Sequence, residues 1–599
     1  MVRARVRLRV VLAGATLALV AMAAPAGAQD PGSTSSTVPT TATTAVPDGP
    51  VTGPVAADAG ARGGAVTSAT ESLADVGYEE REVFLSGLAT VYGPAGIWGS
   101  GGRWATADLG ELPYRTRLLV RRPTDPGRFS GTVFVSWLNV DSAVDTDPDW
   151  TQIGEEVVRE GAVWVGVSAQ SLGINGLLGA RAWDPARYGL LDVPGDAASY
   201  DIFTDAADAL RAPGSVDPLA GLGDQRRLIA VGQSQSAQRL VTYLNAFQPS
   251  THAYDGYLLI SRYRGAAPLG RVLLPSSEAV DPDGPDGRPY LPDPLAALLS
   301  GPPRAKIRDD TTVPVFTVLT ETEARQARSI ARPDSDRFRT WEVAGASHTD
   351  RTATEALVAK LRRDFPTVPL GQLECADANT FPTRYALRAA ARALAVWVDD
   401  GPAPPTAPPL ELDGAGAVVR DTLGNAKGGL RLPQIEVPTA RYTGESVGDG
   451  YCALTGATVP FTEDQEAKLY PSPEAYVVAL AAAVQDAVDA GYLLVEDAAE
   501  LLDVTPVPGS TATAAAIAAS AGVAAPVAAP ERSADVSEGS SAAGSAGAAS
   551  PTAAPDRGDR SWMATTGRDL ITPFLLGLLL LLNGKVVLTI SHQRRRPEH

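Results

Sequence analysis

The side chain most able to do chemistry is a serine between two contrasting segments. The five residues GQSQS (232–236) follow the apolar run RLIAV (227–231) and precede a helical pattern over 236–247. A serine on such a strand-to-helix turn is typical of a nucleophile elbow, usually written G-x-S-x-G. Ser236 replaces the second glycine and is still small enough for close packing. We interpret Ser234 as a candidate nucleophile; the alternative is an ordinary turn with a capping serine.

A nucleophilic serine needs a base, and the chain has only four histidines. His592 and His599 fall in the tail, and His252 lies in a polar turn only eighteen positions after Ser234. His348 follows a predicted strand in the small-residue loop AGASHTD (344–350). Such a loop is suited to bringing an imidazole to the serine, so we predict His348 as the base. The alternative is a surface histidine.

The base in turn needs an orienting acid, which follows the serine and precedes the histidine in chains with this elbow. A predicted strand at 313–319 ends in Thr-Glu-Thr-Glu, residues 320–323. Glu323 occupies the turn where the acid is expected. Glu321 lies two positions away and is the alternative. Asp350 is too close in sequence to His348 to be favoured.

An oxyanion formed at this serine would need two backbone N–H donors. We expect one from Gln235, directly after the nucleophile, and one from Leu138 or Asn139, after a predicted strand at 131–137. Trp137 and Trp150 flank this loop and either wall an acyl pocket or pack in the core.

These residues require a fold that brings strand ends together. Between about residues 70 and 503, short β-rich runs alternate with helical stretches, which predicts βαβ units and a mainly parallel sheet flanked by helices. The predicted strands are 117–121, 131–137, 162–168, 227–231, 256–261, 313–319 and 340–343. The predicted helices are 153–160, 201–211, 236–247 and two extra C-terminal ones, 384–398 and 473–490. The segment 264–310, rich in Pro, Gly and Asp, is a long insertion, either a lid or disordered.

Composition excludes several classes of protein. The 599 residues carry a net charge of −18, which argues against nucleic acid as a partner because phosphate binding depends on Lys and Arg. Two cysteines and four histidines argue against a Cys/His zinc site. The stretch DTDPD (145–149) with Glu156 resembles a calcium loop weakly, and we expect a solvated acidic loop instead. We predict no metal and no cofactor.

Both ends of the chain have the composition of targeting or spacer segments. Residues 1–28 combine a basic start, an apolar run and an A-x-A site, which predicts a secretory signal peptide cut by signal peptidase. Residues 29–70 and 504–560 are rich in small and polar residues, which predicts disordered linkers. Residues 561–599 contain MATTG, an apolar run at 570–590 and a basic end. They resemble a cell-wall sorting signal, cut by a sortase between Thr566 and Gly567; a plain membrane anchor is the alternative.

An extracellular location bears on the two cysteines. In an oxidising compartment, the default for the single pair Cys375 and Cys452 is a disulfide. The alternative is two buried thiols.

Several motifs in order resemble one family, the secreted bacterial α/β-hydrolase-domain proteins. They include WLNV (137–140), PDW (148–150), the elbow, TETE (320–323), WEVAG (341–345) and GNAKGGLRLP (424–433). The resemblance covers about residues 75 to 500. It implies an α/β-hydrolase fold over a domain we place at 71–503, with a serine-hydrolase site at Ser234, an acid within 320–323, and His348. It does not imply a substrate.

Three functions are compatible with these features. The first is a surface-tethered serine esterase that acts on small-molecule or lipid-like esters through an acyl-enzyme. The second is a cell-envelope acyltransferase with the same three residues and an acceptor other than water. The third is a surface binding protein that kept the fold and lost the chemistry. A complete Ser, Glu and His set in the expected order favours the first.

Overall fold

A nine-stranded sheet forms the centre of the protein. The computed structural model describes residues 51–269, 304–445 and 450–527. The strands lie in the order β1-β2-β3-β5-β4-β6-β7-β8-β9. Their bounds are β1 Val51–Thr52, β2 Tyr78–Pro94, β3 Thr106–Pro123, β4 Thr132–Trp137, β5 Val163–Val167, β6 Arg227–Gln233, β7 Gly256–Ile260, β8 Val315–Thr320 and β9 Phe338–Val343. A separate antiparallel pair joins β10 (Ala440–Thr443) to β11 (Ala457–Pro460).

The part of the sheet from β5 to β9 is parallel. Strands β4, β5, β7 and β8 are buried at every residue. This explains their almost continuous aliphatic sequences, because a parallel sheet is covered on both faces. The predicted mainly parallel sheet flanked by helices is confirmed.

Helices and single helical turns fill the connections. The α-helices are α1 Pro148–Arg159, α2 Ser171–Asn175, α3 Ala180–Trp183, α4 Pro185–Tyr188, α5 Ser199–Arg211, α6 Gln235–Ala246, α7 Gln248–Thr251, α8 Glu321–Ala327, α9 Arg351–Asp364, α10 Thr383–Val398, α11 Pro433–Glu436, α12 Glu463–Leu469, α13 Pro473–Asp489, α14 Val495–Val504 and α15 Ala514–Ala521. Short 3-10 helices lie at Leu73–Val76, Pro126–Arg128, Arg328–Ile330, Gly371–Leu373 and Gly450–Leu454.

Two hydrophobic clusters lie on the opposite faces of the sheet. Alternate residues of β4 divide between them: Val133 and Val135 join the cluster that contains α5 and α6, and Phe134 joins the one that contains α1, α10 and α13. Side chains alternate across a strand, so one apolar strand supplies both clusters. The strand ends that carry the candidate residues are therefore held from both sides.

Three segments differ from the predictions. Strands β2 and β3 form a long antiparallel hairpin that extends well beyond the predicted strand 117–121. Its outer half is exposed, so it lacks the aliphatic run that marked the central strands. Helix α9 was not predicted; several of its residues on one face are buried, but its composition is strongly polar.

Two stretches that were expected to be linkers are folded. Residues 51–70 are packed on the domain: Val51 pairs with Leu85 in the sheet, and Val66 and Thr67 are buried. The prediction of disorder is wrong for this stretch, because its few apolar residues fill specific sites. It is also wrong for 504–527, where α15 packs against α13 and α14.

The remaining predictions for the two chain ends, and most of the predicted insertion, lie outside the described residues. They are the signal peptide (1–28), the rest of the two linkers (29–50 and 528–560), the insertion from 270 to 303, and the anchor region (561–599) with Thr566 and Gly567. Among the helices that the structure describes, none has the length and apolar character needed to span a bilayer.

Candidate active site

Ser234 lies at the junction of β6 and α6, as the elbow motif predicts. Its backbone has a positive φ of 61°, with ψ −120°, an uncommon conformation for a residue with a side chain. A Cβ atom on Gly232 would lie 2.9 Å from the Ser236 carbonyl carbon and 3.0 Å from Leu240 Cδ1. Strand and helix are thus too close at this point for any residue larger than glycine. Ser236, in the second glycine position, is buried.

The structure brings Ser234, His348 and Glu323 together in a line. His348 Nε2 lies 2.8 Å from Ser234 Oγ, and His348 Nδ1 lies 2.6 Å from Glu323 Oε1. The imidazole and the carboxylate are buried, whereas the serine is half-buried. This arrangement places a proton acceptor beside the hydroxyl and a carboxylate behind the imidazole.

The two glutamates of the TETE segment have separate contacts. Glu323 is the third residue of α8, and its Oε2 accepts hydrogen bonds from the backbone N–H (3.0 Å) and hydroxyl (2.7 Å) of Thr320. This is half of a capping box, which fixes the carboxylate while Oε1 faces the imidazole. Glu321 instead accepts from the N–H groups of Gly345 (2.6 Å) and Gly444 (3.0 Å) and from Arg420 (2.9 Å).

The loop that carries His348 is fixed on three sides. The His348 N–H donates to Thr322 Oγ1 at 3.0 Å, and its carbonyl accepts from Gln233 Nε2 at 3.3 Å. The Tyr263 ring stacks on the imidazole, with ring centres 5.0 Å apart and planes inclined by 22°. Burial raises the pKa of Tyr263, so the ring packs on His348 as a neutral phenol. These contacts restrict the imidazole to one orientation.

The predicted oxyanion donors have different environments. Gln235 is the first residue of α6, so its N–H has no acceptor within the helix and lies next to Ser234. Leu138 N–H donates to the Val167 carbonyl (3.3 Å), and Asn139 N–H donates to the Thr146 carbonyl (2.9 Å). The expectation of a free donor at Leu138 or Asn139 is therefore not met. The Leu138 N–H bonds to the last residue of β5, and Asn139 pairs with Thr146 in an antiparallel bridge.

Nearby side chains tie this loop to the elbow. Asn139 Nδ2 donates to the Gln233 carbonyl at 3.2 Å. Gln170 Oε1 accepts from both Gln235 Nε2 (2.9 Å) and Trp137 Nε1 (3.1 Å). Trp137 is fully buried, so it packs in the core and does not wall a pocket.

The acidic stretch 145–149 is buried and not solvated, contrary to expectation. Asp145 pairs with Arg117 at 3.2 Å, and Asp147 pairs with Arg121 at 2.6 Å and with Lys360. Asp149 accepts from Ser136 Oγ (2.9 Å) and Trp164 Nε1 (2.8 Å), and burial raises its pKa to about 6. These carboxylates are committed to the protein interior, which explains their density in the sequence.

One further acidic cluster has the geometry of a metal site. Glu155, Asp497 and Glu500 bring carboxylate oxygens within 4.8 Å of one another. Arginines already neutralise them: Arg388 contacts all three, and Arg159 contacts Glu155 and Asp497. The cluster therefore joins α1, α10 and α14 as an ion-pair network.

Cys375 and Cys452 form the predicted disulfide, with their Cα atoms 5.5 Å apart. The segment it holds contacts the histidine loop, since Thr349 N–H donates to the Leu454 carbonyl at 3.2 Å. Tyr451 OH lies 3.4 Å from Thr349 Oγ1. The disulfide therefore fixes a segment directly next to His348.

The solved structures that this chain resembles include hydrolases. The esterase Est22 is 14% identical over 48% of this chain and 78% of its own, with a TM-score of 0.26. The esterase LipA from Xanthomonas oryzae, described as degrading rice cell wall, is 14% identical over 48% of this chain and 91% of its own, with a TM-score of 0.25. No curated protein sequence matches significantly.

The family described as "Alpha/beta hydrolase domain" matches residues 50–503. This range begins one residue before the first described residue, Val51, and ends within α14. It includes Ser234, Glu323 and His348, each of which follows a strand of the parallel sheet. The chain therefore belongs to the α/β hydrolase domain family.

Proposed function

We propose that this protein is a serine hydrolase that cleaves carboxylic esters through an acyl-enzyme on Ser234. The observation that carries the proposal is the pair of short contacts from Ser234 Oγ to His348 Nε2 (2.8 Å) and from His348 Nδ1 to Glu323 Oε1 (2.6 Å). The positive φ of Ser234 supports it, because backbone strain of this kind concentrates at functional sites.

The first half of the reaction acylates the enzyme. Ser234 Oγ attacks the ester carbonyl carbon as His348 Nε2 takes the hydroxyl proton, and the Gln235 N–H stabilises the oxyanion. The tetrahedral intermediate expels the alcohol, which leaves with the proton from His348. Glu323 keeps Nδ1 protonated and stabilises the positive imidazolium.

The second half releases the acid. A water molecule gives a proton to His348 and attacks the acyl carbon, and the intermediate returns Ser234 Oγ as leaving group with that proton. One ester and one water thus give one alcohol and one carboxylic acid. The proposed substrates are small-molecule or lipid-like esters.

We place the activity on the outer face of the cell. This proposal rests on the signal-like residues 1–28 and on the apolar, basic-ended segment 561–599, which would attach the domain to membrane or wall. Signal peptidase and a sortase would be the processing partners. Surface protease digestion of intact cells should remove the domain, and Thr566→Ala should release or mislocalise it if a sortase cuts there.

Hydrolysis of p-nitrophenyl esters of increasing acyl length tests the activity. We expect turnover with an initial burst that equals the enzyme concentration when deacylation is slow. Ser234→Ala and His348→Ala should each lose at least about a thousandfold in kcat.

Two matched variants serve as controls for that experiment. Ser236→Ala changes the other serine of the elbow, and His252→Ala changes an exposed histidine outside the site. Both should keep nearly full activity. Turnover that survives in Ser234→Ala, or a folded protein that hydrolyses none of the esters, would contradict the proposal.

A further inference from the structure

One carboxylate next to the elbow has no part in the reaction described above. Asp141 lies in the loop between β4 and α1. Asn139 and Thr146 close this loop, since each donates its N–H to the carbonyl of the other, at 2.9 and 2.7 Å. These two residues are buried, whereas Asp141 between them is exposed. The loop therefore presents Asp141 at the surface of the protein.

The side chain of Asn139 connects Asp141 to the nucleophile elbow. The Asp141 N–H donates to Asn139 Oδ1 at 2.8 Å, and Asn139 Nδ2 lies 3.5 Å from Asp141 Oδ2. The same Nδ2 donates to the Gln233 carbonyl at 3.2 Å, and Gln233 directly precedes Ser234. One amide group thus lies between the Asp141 carboxylate and the backbone that carries the nucleophile.

Asp141 also lies close to the imidazole and to the ring that stacks on it. Burial raises the pKa of the Asp141 carboxyl, and the positive charges of His348 and Arg239 oppose that rise. The pKa of Tyr263 is raised first by burial and then by the charges of Glu323 and Asp141. Because the Tyr263 ring stacks on the His348 imidazole, Asp141 has both side chains as neighbours.

The charges around the site leave the one on Asp141 uncompensated. Arg239 pairs with Asp196 at 2.7 Å, and an imidazolium formed at His348 faces Glu323 at 2.6 Å. Each of these cations thus has a carboxylate of its own. Within the described parts of the chain, no lysine or arginine forms an ion pair with Asp141. An exposed negative charge therefore remains beside the reacting groups.

The alcohol half of an ester must lie beside the imidazole during the reaction. His348 Nε2 gives its proton to the alcohol oxygen when the tetrahedral intermediate breaks down. A group that extends the alcohol beyond that oxygen comes next to the neighbours of the imidazole, Asp141 and Tyr263. A carboxylate attracts a cation there, and an aromatic ring adds to the attraction.

We propose that Asp141 selects esters whose alcohol carries an organic ammonium group, with the Tyr263 ring beside that group. The inference rests on the proposed function, because it names the substrate class of the same site. Asp141 holds the alcohol in the ground state and in the transition state alike, so the selection acts mainly through KM.

Two esters that differ in charge and share one shape test the selection. Choline and 3,3-dimethylbutanol are such alcohols, and their esters with one acyl group are compared by titration of the acid released. We expect kcat/KM to be about five- to twentyfold higher for the choline ester. Asp141→Asn should bring this ratio to about one, because it removes the charge. Asp58→Asn, which removes an exposed carboxylate within 51–70, should keep the wild-type ratio.

Calorimetric titration of Ser234→Ala with the same esters measures the selection without turnover. The choline ester should bind about five- to twentyfold more tightly than its neutral counterpart, and Asp141→Asn in the same background should remove the difference. This difference in a protein that hydrolyses neither ester would overturn the proposed function and leave the selection standing. Hydrolysis of both esters at equal kcat/KM would do the reverse.

The wild-type protein decides the matter if Asp141→Asn fails to fold. Salt screens an attraction between accessible charges, so the preference for the choline ester should shrink by about threefold between about 50 and 500 mM NaCl. A preference that is independent of salt would overturn the proposal. The same follows from an unchanged ratio in folded Asp141→Asn, or from failure of Ser234→Ala to bind the choline ester.

Discussion

At the residue scale, two glutamates in the first turn of α8 have different hydrogen-bond partners. Glu323 faces the imidazole of His348 and is fixed by Thr320. Glu321 faces away and holds Gly345, three residues before His348, together with Arg420. Glu323 can therefore stabilise a positive charge on the imidazole. Glu321 can affect the imidazole only by fixing the position of the loop that carries it.

These roles predict unequal effects of the same substitution. Glu323→Gln keeps the shape but removes the charge that stabilises the imidazolium, so kcat should fall by about 10³–10⁴ with little change in KM. Glu321→Gln should lower kcat by about tenfold or less and lower thermal stability, because a buried partner of Arg420 is lost. Steady-state kinetics and melting curves of both variants check this. Equal losses of kcat in the two variants would show that Glu323 is not the acid that orients His348.

The elbow glycine gives a second prediction at this scale. Gly232→Ala would push a Cβ against the Ser236 backbone and the Leu240 side chain, so we expect about 1–3 kcal/mol of destabilisation and a loss of activity. Gly223→Ala is the matched control, since the nearest atom to its Cβ is 4.0 Å away. Urea unfolding of the two variants measures the difference. A Gly232→Ala protein as stable and active as the control would show that the turn is not tightly packed.

At the element scale, the start of α1 combines burial with negative charge. Asp147 is neutralised by Arg121 and Lys360, but Asp149 has only neutral donors, Ser136 and Trp164. Burial therefore raises the Asp149 pKa to about 6. The folded state then keeps a proton on Asp149 at pH values where the unfolded chain has released it. This proton binding stabilises the folded state only at low pH.

The sign of the effect can be tested with Asp149→Asn. The stabilising contribution of Asp149 is complete below about pH 4, near the pKa of an unfolded aspartate, and is lost as the pH rises through about 6. The variant has no such proton, so its stability relative to wild type should improve by about 2 kcal/mol between pH 4.5 and 7.5. Urea unfolding at the two pH values measures this. A constant difference, or one of opposite sign, would contradict the raised pKa.

The elements also show which features a single sequence can reveal. The parallel strands were predictable because burial on both faces demands aliphatic runs, as in β4 and β5. Ser234 and His348 were found because each follows such a strand. A local sequence signal also separates Glu323 from Glu321, because Thr320-x-x-Glu323 has the pattern of a capping box. The stacking of Tyr263 and the contact of Arg420 with Glu321 join residues far apart in sequence, and no local pattern encodes them.

At the scale of the whole molecule, the stretch before the first long strand is part of the domain. Arg117, fully buried, donates to the Val66 carbonyl (2.8 Å) and to Thr67 Oγ1 (3.1 Å). Thr67 N–H in turn donates to Asp364 at 2.8 Å. Residues 51–70 thus satisfy buried polar groups as well as covering apolar surface.

Removal of residues 51–70 should strongly destabilise the domain. A chain that begins at residue 71 exposes the sites of Val51 and Val66 and leaves Arg117 without two acceptors, a loss on the order of 5–10 kcal/mol. This is comparable to the whole stability of a typical domain, so we expect aggregation or a molten state. A chain that begins at residue 47 should fold normally. The soluble yield and melting temperature of the two chains measure the difference. Equal values would contradict the claim that packing of residues 51–70 stabilises the domain.

The central claim is that Ser234 is a nucleophile activated by His348. Its most direct test is reaction of the purified protein with a fluorophosphonate, followed by mass-spectrometric mapping of the modified residue. The account predicts one adduct per chain at Ser234, abolished by Ser234→Ala, strongly slowed by His348→Ala and unaffected by Ser236→Ala. An unmodified folded protein, or an adduct on another serine, would contradict it.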